Sequence, residues 1–212
     1  MTTGRLADAV ARIDAANADD PHTLVVDGVE RPKEQAHAEL MTAWVTTLDP
    51  GASDEQLIAA RAHHLRRWSL PRSSYPEGRA GYLRWRKALK DQHAEEVAAL
   101  VSAAGYDEAS IARVQAIIRK DGLTRAAPGD GVQVHEDALC LVFLQTQALE
   151  LAGELGGDKT VDVLRKTIAK MSPAGISAAL ALELEADVRA LLERAVAPDE
   201  VGSDPTSRPE PG

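Results

Sequence analysis

The run at residues 139–144 (LCLVFL) is apolar on every side of a helix, and no other stretch limits the fold as tightly. A helix without a polar face has to be enclosed, so the chain must supply amphipathic helices to surround it. Leu6, Val10 and Ile13 repeat at helical spacing in a first helix over 3–18, which Asp20-Pro21 ends. A second begins at Pro32, a favourable first-turn residue, and runs to Leu48 before Asp49-Pro50-Gly51 breaks it. Ser53 followed by Gln56 is a capping box that opens a third helix, ending before Pro71. A fourth follows the Pro/Gly/Ser loop at 69–81 and reaches about residue 104, a fifth covers 107–120, the central sixth covers 135–155, and 160–171 and 176–196 supply two more. The segment 22–31, with β-branched residues around Asp27-Gly28, is a short extended connection or a small hairpin, too short to build a sheet.

Composition agrees. Aromatic residues make up only 3% of the chain, while Ala and Leu are abundant. The expected class is all-α, a single-domain bundle of about seven to eight helices over 1–196, followed by a disordered, acidic, proline-rich tail at 197–212. Residues 1–20 carry Asp8, Asp14, Asp19 and Asp20 and lack a continuous apolar stretch, so they do not read as a signal peptide. No run of about 18 apolar residues is long enough to cross a bilayer. The single cysteine, Cys140, excludes an internal disulfide and lies in the apolar helix as a buried, inert thiol. A cytoplasmic protein without a membrane partner is expected.

The polar residues that fall on the inward stripes are informative, because a buried histidine has to be hydrogen-bonded, metal-bound or catalytic. His37 shares a face with Met41, Trp44 and Leu48, and His64 with Leu57, Ala60 and Trp68. His93 lies in the stripe of Tyr82, Trp85, Leu89, Val97 and Leu100, and Asp137 in that of Leu141, Leu144, Ala148 and Leu151. Four helices, the second, third, fourth and sixth, thus each turn one potential metal ligand inward. His63, about a hundred degrees from His64 on a helix, is expected to face solvent or the basic loop.

A second feature is charge asymmetry. The chain carries −9 overall, which argues against a general nucleic-acid or membrane binder. Residues 61–90 nevertheless hold nine basic residues against one acid, Glu77, a local +8 that leaves −17 for the rest. Four of the seven aromatics, Trp68, Tyr75, Tyr82 and Trp85, fall in the same stretch. Arg66, Arg67, Arg72 and Arg79 flank the loop where guanidinium forks would clamp a phosphate or carboxylate, with Arg86 close behind. Ser73 and Ser74 add hydroxyl donors, and Tyr75 and Tyr82 complete the candidate binding set.

The strings at 13–21 (IDAANADDP), 63–96 (HHLRRWSLPRSSYPEGRAGYLRWRKALKDQHAEE), 136–144 (EDALCLVFL) and 164–175 (LRKTIAKMSPAG) resemble domain of unknown function 4202, over nearly the whole chain to about residue 195. That family name carries no activity. A more distant resemblance is to the HD superfamily of metal-dependent phosphohydrolases, all-helical proteins that bind a metal through a His, a His-Asp pair and a later Asp. On that comparison His37 matches the first histidine, His64 the histidine of the pair, Asp137 the final aspartate and His93 an additional histidine of some members. Leu65 stands where the pair's aspartate belongs.

The first functional expectation is therefore an HD-like hydrolase of a small phosphorylated metabolite or nucleotide. In it His64, His93 and Asp137 act at the reacting centre and, with His37, hold a divalent transition metal such as Mn, Fe, Co or Zn, while the arginines neutralise the anionic substrate. The second is a metal-free module binding an anionic ligand such as a nucleotide, and the third is an RNA-binding protein, against which the −9 charge counts.

Overall fold

The computed structural model describes residues 4–26, 28–123 and 131–197. Among these the chain is mostly helical, with ten α-helices and one small hairpin in the order α1 (Gly4–Asn17), β1 (Thr23–Val26), β2 (Val29–Pro32), α2 (Lys33–Leu48), α3 (Asp54–Arg61), α4 (Gly78–Ala103), α5 (Glu108–Arg119), α6 (Gly131–Thr146), α7 (Ala148–Leu155), α8 (Gly157–Ile168), α9 (Pro173–Ala181) and α10 (Ala186–Val196). Two single 3₁₀ turns, Arg67–Ser69 and Arg72–Ser74, lie between α3 and α4. Apart from Ala197, the acidic tail read from the sequence lies outside the described residues.

Local signals set several boundaries. The Ser53 side chain accepts from the Gln56 N–H while Gln56 returns a bond to the Ser53 N–H, the reciprocal capping that opens α3. Asp107 caps α5 through the Ser110 N–H at 2.8 Å. In the hairpin Val26 pairs with Val29, and Gly28, just before β2, takes the positive φ of 77° that a tight turn between two strands demands. Pro32 ends β2 and borders α2, whose first turn is held by a distant carboxylate: Asp20 Oδ2 accepts the Glu34 N–H at 2.9 Å.

The helix count exceeds the expected seven to eight because two long helices are broken. The segment 135–155 bends by 63° between α6 and α7, next to Thr146, whose hydroxyl donates to the Val142 carbonyl at 2.7 Å and loosens the backbone ladder there. The segment 176–196 breaks after Ala181, where the Arg189 guanidinium donates to the Leu180 and Leu182 carbonyls and so satisfies the freed end of α9. Leu180, in the last turn of α9, is exposed.

Three apolar cores meet along α6. α1, α3, α4 and α5 pack around Ile13, Ile58, Leu65, Val97 and Ile118. α6 through α10 enclose Leu141, Leu144, Leu164 and Leu192, while Met41, Val45, Ala60, Ala138 and Val142 join α2 and α3 to α6. Since α6 gives Val132 to the first core, Leu141 to the second and Val142 to the third, its all-round apolar character is accounted for. Among the described residues no single helix is long and apolar enough to cross a membrane.

Candidate metal and anion site

The site begins with a helix that stops early. The sequence reads as helical to Pro71, yet α3 ends at Arg61 and the chain continues in overlapping turns, Leu65 N–H to Ala62 O and Arg67 N–H to His64 O, both at 3.0 Å. Arg66 takes the left-handed conformation, φ 49°, and its N–H donates at 3.0 Å to Oδ1 of the buried Asn17 at the end of α1. Fully buried Leu65 anchors the turn in the first core. Because the helix is unwound, consecutive residues no longer diverge by a hundred degrees, and His63 and His64 both turn inward with ring centroids 4.6 Å apart. The expectation of a solvent-facing His63 is therefore corrected: it is 7% exposed.

Five of the six histidines converge here. His37 of α2 stacks on His64 at 4.2 Å between centroids, and His93 of α4 lies 6.0 Å from His64. His63 Nδ1 and His135 Nε2 of α6 are 2.7 Å apart, a hydrogen bond in which one ring donates. Glu34, one turn before His37, places Oε2 2.9 Å from His64 Nδ1, and Asp20 fixes its backbone. One ligand atom from each of Glu34, His37 and His64 falls within 4.8 Å of the other two. The buried nitrogens His37 Nε2, His93 Nε2 and His135 Nδ1 have no hydrogen-bond partner among the described residues.

Burial dictates the charge state of this group. Desolvation, reinforced by Arg67, pulls the His37 pKa down to about 3 and that of His93 to about 4, the bond to the His63 backbone partly opposing the latter. Desolvation likewise takes His135 to about 3 and holds His63 and His64 well below the usual imidazole range. Glu34 moves the other way, to about 7, again through burial and against the pull of Arg67. Neutral imidazoles with free nitrogen lone pairs beside a carboxyl are the donor set that divalent transition ions accept.

Beside the histidines opens a cavity of about 320 Å³, walled by the 63–67 turn and residues of α2, α4, α5, α6 and α8. Among the described residues Arg67, Arg86, Lys90, Lys120 and Lys170 line it, against one acid, Glu136, which is ion-paired with Lys120. Arg67 lies 3.9 Å from Glu34 Oε1 and stacks over Trp85 at 5.0 Å, and the Trp85 indole N–H is anchored on the Leu70 carbonyl at 2.9 Å. Exposed Tyr82 and Arg86 form part of the rim, the guanidinium 5.8 Å from the ring.

Of the residues singled out from the sequence, His37, His64, His93, Arg67, Tyr82 and Arg86 line this cavity. Asp137 does not. Its carboxylate faces the start of α9, accepting from the Ser172 N–H at 2.8 Å, from the Ser172 hydroxyl and from Gln133, so it serves as a helix-capping anchor. Gly175 sits against it so closely that an added Cβ would lie 2.6 Å from the carboxylate carbon. The rest of the basic loop also stays outside. Arg72 donates to the Tyr75 and Pro76 carbonyls and thereby holds the loop together, Ser73, Ser74 and Arg79 are exposed, and Arg66 reaches outward to Glu96 at 3.8 Å. Part-buried Tyr75 does not line the cavity.

Glu34, His135, Lys120 and Glu136 are the participants the sequence reading missed. Glu34 and His37 stand three apart at a helix start, a spacing that places both on one face and was available as a signal. For the Lys120–Glu136 pair, which joins two helices, local spacing offers none.

No curated protein and no solved structure matches the chain. Residues 7–192, which include every residue of the histidine group and the cavity, match the family described as domain of unknown function DUF4202, and the chain belongs to that family.

Proposed function

We propose that this protein is a metal-dependent, HD-like hydrolase of a small phosphorylated metabolite or nucleotide. The observation that carries the reading is the Glu34–His37–His64 group set against a cavity whose described wall residues include five cations and one acid. The donor set fits a divalent transition ion: His37 brings a buried Nε2 with no partner among the described residues, His93 another, and the Glu34 carboxyl is already within 2.9 Å of His64. Relative to the HD pattern, Glu34 takes over the carboxylate role in the ligand set and Asp137 is left to structure. An ion bound there would supply Lewis acidity and an acidified water, the chemistry that phosphoester hydrolysis needs.

The chain's own side chains do the rest. Arg67, between the ligand group and Trp85, receives phosphoryl oxygens next to the reacting centre. Lys120, oriented by Glu136, and Lys90, whose Nζ donates to the Arg119 carbonyl at 3.2 Å, bring ammonium groups to the same space. Leu89, Leu139 and Phe143 supply apolar wall that keeps water from the uncharged part of the substrate.

Elemental analysis of tag-free protein together with a phosphoester panel in added Mn, Fe, Co or Zn tests this. Stoichiometric metal and turnover are expected, both lost in His37→Ala and His64→Ala. Metal-free protein without turnover, yet stabilised by phosphate in the presence of chelator, would instead establish the metal-free anion-binding module, a reading favoured by the Glu34–His64 hydrogen bond, which already gives both groups a partner.

A further inference from the structure

Arg86 and Lys90 have two sides. On one they line the histidine cavity, and on the other they line a more open groove of about 530 Å³ completed by Leu83, Lys87, Asp91, Arg119 and Asp121. The two spaces thus share a wall made of cations. Among the described residues the groove holds four cations against two acids and one aliphatic residue, so they offer little to an apolar group and a net positive charge to an anion. Asp91 does not close it: its carboxylate lies between Lys87, at 2.7 Å, and Arg119, at 3.6 Å, and the Lys87 side chain remains 80% exposed. Exposed pairs of this kind are weak and yield readily to a more highly charged partner.

Cations arranged in depth suit a chain of charges better than a single one. Arg67 and Lys120 lie at the inner end, Arg86 and Lys90 in the shared wall, and Lys87 and Arg119 outside. We infer that the ligand is a condensed phosphate, a compound bearing two or more linked phosphoryl groups, whose inner phosphoryl occupies the histidine cavity and whose outer ones cross the Arg86–Lys90 wall into the groove. The inference rests on the anion-binding reading of the cavity given above and narrows its substrate class.

Binding of orthophosphate and tripolyphosphate, measured by calorimetry at matched ionic strength in buffer free of divalent ions, tests it apart from any turnover. Wild-type protein should bind tripolyphosphate at least about tenfold more tightly than orthophosphate. Lys87→Ala/Arg119→Ala should lower tripolyphosphate affinity about fivefold or more and leave orthophosphate affinity unchanged. Asp91→Asn, which releases both groove cations, should move tripolyphosphate affinity the other way. Arg79→Ala removes an exposed charge that lines neither space and should leave the ratio intact. A wild-type ratio near one, or a ratio that the groove variants and Arg79→Ala change equally, would overturn the proposal while leaving a single-phosphate cavity in place. If neither anion binds, this inference and the anion reading of the cavity both fall. Failure of hydrolysis alone, with the binding pattern intact, removes only the hydrolase reading.

Discussion

The ion pair between Lys120 and Glu136 joins the end of α5 to α6 with side chains only 8% and 4% exposed, and it makes a quantitative prediction. Two charges at that depth have exchanged water for each other, so removing one strands the other in a poorly solvating interior. Glu136→Ala should therefore destabilise the protein by about 3–5 kcal/mol. Replacing both at once, Lys120→Met with Glu136→Leu, removes the desolvation penalty along with the attraction and should return stability to within about 1–2 kcal/mol of wild type. Burial already lowers the Lys120 pKa, with Glu136 opposing, so loss of Glu136 lowers it further. The native state of Glu136→Ala then binds fewer protons than the unfolded chain, and its deficit should shrink as pH rises into the alkaline range. Urea denaturation followed by circular dichroism reads this directly: with a slope of about 2.5 kcal/mol per molar, the single variant should move the midpoint down by about 1–2 M. A shift below about 0.3 M, or a double variant as unstable as the sum of its parts, would show that the pair is solvated and the reasoning wrong.

Asp137→Ala should cost about 3 kcal/mol, because the Ser172 donors at the head of α9 lose their acceptor, while phosphate affinity measured by calorimetry stays unchanged; a loss of bound metal without a loss of stability would return Asp137 to the site. Gly81→Ala brings a Cβ within 1.8 Å of the Pro76 carbonyl oxygen, so the loop must move away from α4; the thermal midpoint should fall by several degrees and Trp85 fluorescence should shift, and an unchanged melt refutes the contact. Stability should also fall on acidification. His37 and His135 titrate near 3 and His93 near 4 in the folded chain but near 6.5 when unfolded, so below about pH 6.5 the unfolded state takes up protons that the native state excludes. Each histidine removes about 1.4 kcal/mol per pH unit, and Glu34, raised to about 7, offsets about one of them between pH 7 and 4.5. Urea melts between pH 7 and 4 should show that decline, and a flat profile contradicts the burial of the histidines.

Much of the fold is legible because its boundaries are local. Ser53 with Gln56, Asp107 before α5 and Gly28 in the hairpin each settle their backbone with neighbours a few residues away. The misreadings have the opposite character. α3 stops at Arg61 and the Arg66 N–H that follows is captured by Asn17 on another helix, a contact that no periodicity in residues 53–70 announces. His37, His64 and His93 were identifiable as polar residues on apolar stripes, and the structure brings them together. Asp137 satisfied the same rule but points to α9, since a stripe wide enough to bury a helix faces more than one neighbour. Density of charge in the sequence was likewise a poor guide to where charge acts: Arg72 is occupied by its own loop's carbonyls, whereas Lys120 and Lys170, from other parts of the chain, reach the cavity.

The bond between Asn17 and Arg66 works as an alignment pin. α1 supplies no side chain to the cavity, yet its last residue holds the turn that follows the third helix, the turn in which two adjacent histidines look the same way. A chemically mild change far from any ligand, Asn17→Leu, would free that backbone N–H and remove the reason for the turn. The helix could then wind onward, carrying His63 away from His135. The address of the site is thus written in a part of the chain that never meets what the site holds, and substitutions in α1 belong among those that silence it.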